Sequence, residues 1–230
     1  LVWFDSEIRG TSEEPLNQGT LGSALDMTTI VGTPGVTGDD ATLGHPLWRS
    51  NASGDAFRNN LALGSNALAS VGDDVSFAAV IKPGTRGALG RHEFFNTGDI
   101  GDGTGTSYTF QHDVLFDTPG ASWQWQWGAS RRTPLISTVQ VLYLVVGYLP
   151  NVQTTMETLC SRRPLVGGTW DEGTDIGSND GRLAQKMQMF NHLNICNSQV
   201  AHVMFWNTGN GGGLVDRDAI HQYFVDRYGL

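Results

Sequence analysis

The sequence predicts an all-β protein, a sandwich or barrel of many short strands closed by one C-terminal helix. Three observations carry that expectation. Short apolar segments recur at a steady pace, with Gly, Pro, Asn and Asp between them. The 30 glycines among 230 residues are scattered between those segments with no collagen-like period. No long helix-period segments alternate with the strands, which argues against a parallel α/β sheet.

Leu1–Asp5 (LVWFD) reads as the first strand. Ser6–Asn60 is a long irregular stretch rich in Gly, Thr, Asp and Asn, expected to hold short edge strands such as Ser23–Val31 wrapped over the sandwich. Phe57–Leu63 follows, and then the clear strand Val75–Lys82 (VSFAAVIK), stopped by Pro83-Gly84. His92–Asn96, Ser107–Phe116 and Ser122–Trp127 are the next strands, with Asp117-Thr118-Pro119-Gly120 as the turn before the last of them. Val139–Leu149 has the length of a long buried strand and leads through Pro150-Asn151 into Gln153–Cys160. Gly167–Gly181 reads as a polar loop, and Leu183–Phe190 and Val200–Trp206 as the closing strands.

The one convincing helix comes last. Asp216 is placed to cap it and Asp218 stands in its first turn, near the positive end of the dipole. Ile220, Phe224 and Tyr228 recur at i, i+4 and i+8, with Val225 beside them, so one face is apolar. Arg227 stands in the last turn and Gly229 is placed to end it. With no internal repeat and no boundary signal, residues 1–230 are expected to form one domain.

Composition narrows the function. A formal charge of −9 with only two lysines, Lys82 and Lys186, repels polyphosphate, so nucleic acid is not an expected partner. The pairs Arg131-Arg132 and Arg162-Arg163 could bind a local anion, but read more readily as solvated turn residues. No apolar run reaches the roughly 18 residues of a membrane span. Cys160 and Cys196 fit no zinc or CxxC spacing, and read equally as one disulfide or as two buried thiols. The chain starts at Leu1 without an initiator methionine or signal peptide, which reads as a processed or trimmed segment.

Several segments resemble the concanavalin A-like lectin/glucanase superfamily, in particular its laminin-G-like domains. Leu16–Pro34 (LNQGTLGSALDMTTIVGTP) looks like their early "N-x-G … G" stretch. Asp73–Pro83 (DDVSFAAVIKP) looks like their "F-[ST]-[IV]-x-A-W-[IV]-[KR]-P" strand, with Ala79 where Trp is common. Phe94–Leu115 resembles the next strand pair, and Val200–Leu230 resembles the closing strand, loop and short helix ending in Tyr228-Gly229-Leu230. The resemblance implies a two-sheet antiparallel jelly-roll sandwich with a short C-terminal helix. It also implies ligands on the concave face or the rim loops, without transferring any ligand residue.

Candidate chemistry follows from the residues. Glycoside hydrolysis usually needs two carboxylates flanking the bond. The glucanase branch sets them on one strand face as E-x-D-x-x-E. No such run exists here, and Trp170-Asp171-Glu172-Gly173-Thr174-Asp175 reads as a loop, so the protein is expected not to be an enzyme. There is no G-x-S-x-G or H-E-x-x-H. His112-Asp113 and His202 read as hydrogen-bonded structural residues.

Trp123, Trp125 and Trp127 alternate with Gln124 and Gln126 on one strand. Either the indoles form a sugar-stacking platform, or they face the interior and the glutamines form the polar face. Trp170 and Asp171 join these as candidate ligand residues. Two loops suggest calcium: Asn96–Gly105 with Asp99 and Asp102, and Ile176–Gly181 with Asn179 and Asp180. A hard cation needs 6–8 oxygens, and Asp-Gly sequences are also ordinary turns; no cofactor is required by the sequence.

The expected function is a binding or adhesion module for a glycan or cell-surface receptor, on a secreted protein, a phage tail fibre or a capsid. The Gly-rich, Lys-poor composition suits an extracellular or virion surface. The alternatives are a structural decoration domain that self-associates or packs on neighbouring assembly proteins, and a glycoside hydrolase.

Overall fold

A computed structural model describes residues 1–52, 55–59, 74–83, 91–97, 108–114, 121–127, 129–136, 140–149, 156–177, 187–191, 199–209 and 215–230. For residues 91–97, 108–114, 121–127, 129–136, 156–160 and 173–177, and for 75, 149, 187, 191 and 209, that description is of the backbone.

The described strands are β1 (Val2–Arg9), β2 (Pro15–Asn17), β3 (Thr29–Val31), β4 (Gly35–Asp39), β5 (Pro46–Arg49), β6 (Ala56–Arg58), β7 (Asp74–Lys82) and β8 (Arg91–Thr97). They continue with β9 (Tyr108–Val114), β10 (Ala121–Trp127), β11 (Ala129–Ile136), β12 (Tyr143–Leu149), β13 (Met156–Pro164), β14 (Asp171–Gly177), β15 (Met187–Asn191) and β16 (Gln199–Gly209). Helix α1 spans Arg217–Tyr228. The first sheet runs β14-β13-β12-β7-β16-β1-β2, with β5 pairing both β16 and β4. The second runs β11-β10-β9-β8-β15-β6-β3. Every described pairing is antiparallel. The architecture is the two-sheet jelly-roll sandwich with a short C-terminal helix.

The VSFAAVIK strand is apolar without a break from Phe77 to Ile81 because both of its faces are covered. Phe77, Ala79 and Ile81 join Phe4, Trp48, Tyr143, Val145, Met189, Val203 and Phe205 in a core between the sheets. The alternate residues Ala78 and Val80 join Leu144, Val146, Ala201 and Met204 in a second core beneath Ile220 and Phe224 of α1. The period of two sends alternate residues to the two cores.

α1 forms as its sequence predicts. Asp216 accepts from the amides of Asp218 and Ala219 at 3.0 and 3.2 Å, satisfying donors the helix start leaves open. Gly229 ends the helix in the left-handed region at φ 65°.

The Ser6–Asn60 segment is held by carboxylates that accept amide hydrogens. Asp55, 2% exposed, accepts from the backbone of Thr33 (2.7 Å), Asn51 (2.9 Å) and Ala52 (2.7 Å). Asp40 accepts from the amides of Thr42 and Leu43 and from Lys82 Nζ at 2.6 Å. Burial alone would raise the pKa of Asp40, but these donors outweigh it and hold the carboxyl below its usual range.

Three expectations are corrected. Arg131-Arg132 and Arg162-Arg163, read as solvated turn residues, lie within β11 and β13, and Arg162 is buried, where it pairs with Asp171. Asp171–Gly177, read as a loop, is strand β14, and Ala129–Ile136, on which the sequence placed no strand, is β11. Both lie at sheet edges. An edge strand pairs along one side only, so it tolerates the acidic residues and glycines of DEGTDIG and the proline of ASRRTPLI.

Candidate functional site

The second sheet has one side toward the core, and its cross-strand register tells which backbone positions share that side. Directly paired residues lie on one face. Phe57 pairs with Met189, Met189 with Phe95, Phe95 with Phe110, and Phe110 with Trp125. The two members of this row whose side chains are described, Phe57 and Met189, are fully buried between the sheets.

A second row, one residue away on β9 and β10 and two away on β15 and β8, is polar. Asn191 pairs with Glu93, Glu93 with Gln111, Gln111 with Gln124, and Gln124 with Arg132. Paired irregularities keep this row opposite the apolar one. Phe190 adopts φ 57°, and both it and Met189 are buried in the core, so β15 spends two successive residues on one side before Asn191. On β8 the register shifts correspondingly between Glu93 and Phe95. Polar positions continue on either side of the row: Arg91 pairs with Asp113 and Asp113 with Ser122, while Asn96 pairs with Thr109. Toward β6 the face closes, where the fully buried Gln188 donates to the Phe190 carbonyl at 2.7 Å and accepts from Arg58.

Of the residues singled out from sequence, Trp123, Gln124, Trp125, Gln126 and Trp127 form β10, between β9 and β11, with side chains outside the described set. Asp99, Asp102, Asn179 and Asp180 lie outside the described residues, as does Cys196; Cys160 is described as backbone of β13. Trp170 and Asp171 stand beside α1. Trp170 Nε1 donates to Asp218 at 2.7 Å, and the Arg217 guanidinium lies 5.1 Å from its ring centroid. Asp171 pairs with the buried Arg162 at 3.1 Å. The Trp170 contacts anchor the start of α1 on the first sheet, while the Asp171–Arg162 pair joins β14 to β13.

Asn191, Glu93, Gln111 and Arg132 escape a reading of sequence because they come from separate strands. Only pairing register brings them together, and no local spacing encodes it.

A second polar cluster lies beneath the end of α1. Asp5 and His202 are cross-strand partners, both fully buried. The register shifts between Val200 and His202, so Ala201 is an extra residue. The bulge sets both Ala201 and His202 on the helix side, where the ring stands 5.0 Å from that of Phe224. An indole can only donate, so His202 Nε2 accepts from Trp3 Nε1, and the ring proton sits on Nδ1, donating to the Tyr228 oxygen at 2.9 Å. Arg227 bridges Asp5 and Glu7. Burial, then the charges of Arg227 and His45, push His202 well below the ordinary histidine range. Burial raises Asp5 even against Arg227, and also raises the Tyr228 phenol. The cluster is closed under the helix and locks it to β1 and β16. His202 thus has the hydrogen-bonded environment its position in the closing strand suggested.

Among the described residues there is no group of three or more His, Cys, Asp or Glu arranged to hold a metal ion, and no helix long and apolar enough to cross a membrane.

The fold is the concanavalin A-like jelly roll, as comparison with solved structures shows. The binding domain of botulinum neurotoxin DC in complex with SialylT superposes on 98% of this chain with a TM-score of 0.62 and 6% identity. Peanut lectin with a nine-residue peptide matches 76% of the chain and 90% of its own length, with a TM-score of 0.50 and 12% identity. The enzymatically active domain of tailspike protein 2 from bacteriophage CBA120 matches 85% of the chain at 18% identity, with a TM-score of 0.54. The chain spans about half (51%) of the toxin domain and 29% of the tailspike chain. No protein-family model and no curated protein sequence matches it.

Proposed function

We propose that the chain is a non-catalytic glycan-binding module that uses the face of the second sheet opposite its core. The observation that carries this reading is the row Asn191, Glu93, Gln111, Gln124 and Arg132, one polar position on each of five neighbouring strands. Amides donate and accept, carboxylates accept and guanidinium donates, which together match the paired hydroxyls of a sugar. In this reading Trp123, Trp125 and Trp127 take positions on the core side of β10, and Gln124 and Gln126 take positions on the binding face. Fold likeness to a lectin, a toxin binding domain and a phage tailspike domain supports the reading, and with it a location on a secreted protein or a virion surface.

The test is a glycan array probed with and without calcium. Binding in either condition, weakened in Gln124→Ala, is the expected result; silence in both sinks the reading. A calcium requirement would direct attention to Asp99, Asp102, Asn179 and Asp180.

One observation favours a second reading, glycoside hydrolysis. Glu93 pairs with Gln111 while Asp113, two residues along β9, pairs with Arg91, so the two acidic positions are diagonal neighbours on one face. Such neighbours lie roughly 7–8 Å apart at the backbone, near the spacing of about 6.5–9.5 Å between carboxyl groups of inverting glycosidases. The binding reading expects no reducing ends after prolonged incubation with polysaccharide. Release abolished by Glu93→Gln and by Asp113→Asn would establish the hydrolase instead.

A further inference from the structure

We infer that α1 is an acid-released latch: two buried imidazoles, one under each half of the helix, are packed with no place for a second proton, and mild acid frees the helix from the first sheet while the sandwich stays folded. This does not depend on what the second sheet binds.

His202 lies under the end of α1 and His221 in its second turn, 0% and 7% exposed. On His202, Nε2 accepts from Trp3 and the Nδ1 proton goes to Tyr228, so a second proton would face the indole N–H. Of the charges around it, Asp5 and Glu7 on β1 are both engaged by Arg227 of α1. His45 packs on the Tyr228 ring at 5.1 Å. β7 sets Val80 opposite His202, and its Lys82 is held by Asp40 at 2.6 Å. On His221, Nε2 has no hydrogen-bond partner among the described residues, and the ring meets Trp170 edge-on at 6.2 Å. The charges there are paired too: Arg163 of β13 with Asp218, Arg217 with Glu172, and Arg162 with Asp171. Burial first, then Arg163, lowers the pKa of His221, as burial, Arg227 and His45 lower that of His202.

The helix is the element able to leave. β7, β12 and β16 are tied by strand pairing. Among the described residues, α1 is held by side chains: Ile220 and Phe224 in the second core, and the polar contacts at its two ends. The core between the sheets contains no residue of α1. Release therefore spares that core and both ladders, as a local opening, and bares Val80, Leu144, Val146, Ala201 and Met204. Freed imidazoles return to about pKa 6.5. Opening then takes up a proton at each, so it is favoured as pH falls below that value. Asp5, raised by burial, acts in the opposite sense, nearer the carboxylate range.

The test is hydrogen–deuterium exchange by mass spectrometry on the whole chain from pH 7.5 to 5, corrected for the intrinsic rate at each pH. Below about pH 6.5, protection of the α1 amides should fall by about tenfold to a hundredfold per unit, one decade for each imidazole protonated on release. Amides of β7, β12 and β16 should keep theirs. His202→Gln and His221→Gln should each flatten the α1 slope, and the double variant should abolish it. Loss of protection by α1 and β7 together overturns the latch, as does α1 protection that ignores pH or a slope that survives in the double variant. The comparison of α1 with β7 needs only the unaltered protein, so it decides the matter even if a variant fails to fold.

Discussion

Gly147 on β12 pairs directly with Phe77 on β7, and the phenyl ring occupies the space a side chain at Gly147 would take. In Gly147→Ala the added Cβ would stand 1.8 Å from Phe77 Cε1 and 2.6 Å from Cδ1. The ring has nowhere to go. Phe77 is 1% exposed and stands 6.0 Å, centroid to centroid, from Phe205 in the core between the sheets. Overpacking of a dense core typically costs about 1–3 kcal/mol, and a ring hemmed in this way should lie at the upper end. Phe77→Leu removes the conflicting ring atoms and by itself should cost about 1 kcal/mol for the space it leaves. The double variant should then be more stable than the sum of the two changes, by about 1–2 kcal/mol. Urea unfolding followed by tryptophan fluorescence, run on all four proteins, measures that coupling. Strict additivity, or a Gly147→Ala protein as stable as the parent, would refute the reasoning.

Other expectations follow from the latch under α1. Arg227→Met leaves the fully buried Asp5 without its cation. It should cost about 2–3 kcal/mol in urea unfolding, below the 3–5 of a fully buried pair because Arg227 is partly exposed, and Asp5→Asn in the same protein should restore part of the loss. Protonating His202 would turn a second N–H against the Trp3 indole. Its pKa is depressed by burial, so its contribution is fully present above about pH 6.5, the unfolded value. As pH falls below that, stability should drop by up to about 1.4 kcal/mol per unit. Asp5, raised by burial, takes up a proton in the native state before the unfolded chain does, so the slope should flatten toward the carboxylate range. Urea midpoints from pH 7.5 to 5 read this, and His202→Gln should remove its share of the slope, leaving the smaller share of His221, which burial and Arg163 also lower. Asp216→Ala deletes the acceptor for two amides at the start of α1. It should cost about 1 kcal/mol, seen as faster amide exchange in the first helical turn.

Much of the fold is legible along the chain. The DDVSFAAVIKP strand shows by its unbroken apolar run that both faces are covered, and the capped, amphipathic terminal helix supplies one of the covers. The edge strands β11 and β14 are not legible in the same way. An edge has one unpaired side and accepts Pro, Gly and acidic residues that a central strand would reject. The bulge at Ala201-His202 is hidden too, since nothing in VAHVMF marks the extra residue that brings His202 opposite Asp5.

The sequence by itself determined the all-β class, the strand cadence, the two-sided burial of β7 and the start and end of α1. Each depends on neighbours within a few residues, where the periods of strand and helix are written directly into the order of side chains. The polar row on the second sheet and the Asp5–His202–Tyr228 latch were decided only by tertiary structure. Their members come from strands far apart in the chain, and the choice of one register over its neighbour by a single residue is what puts Gln111 beside Gln124 and Glu93 rather than among the residues of the core. The glutamines between the tryptophans of β10 were visible from the start; what they stand beside was not.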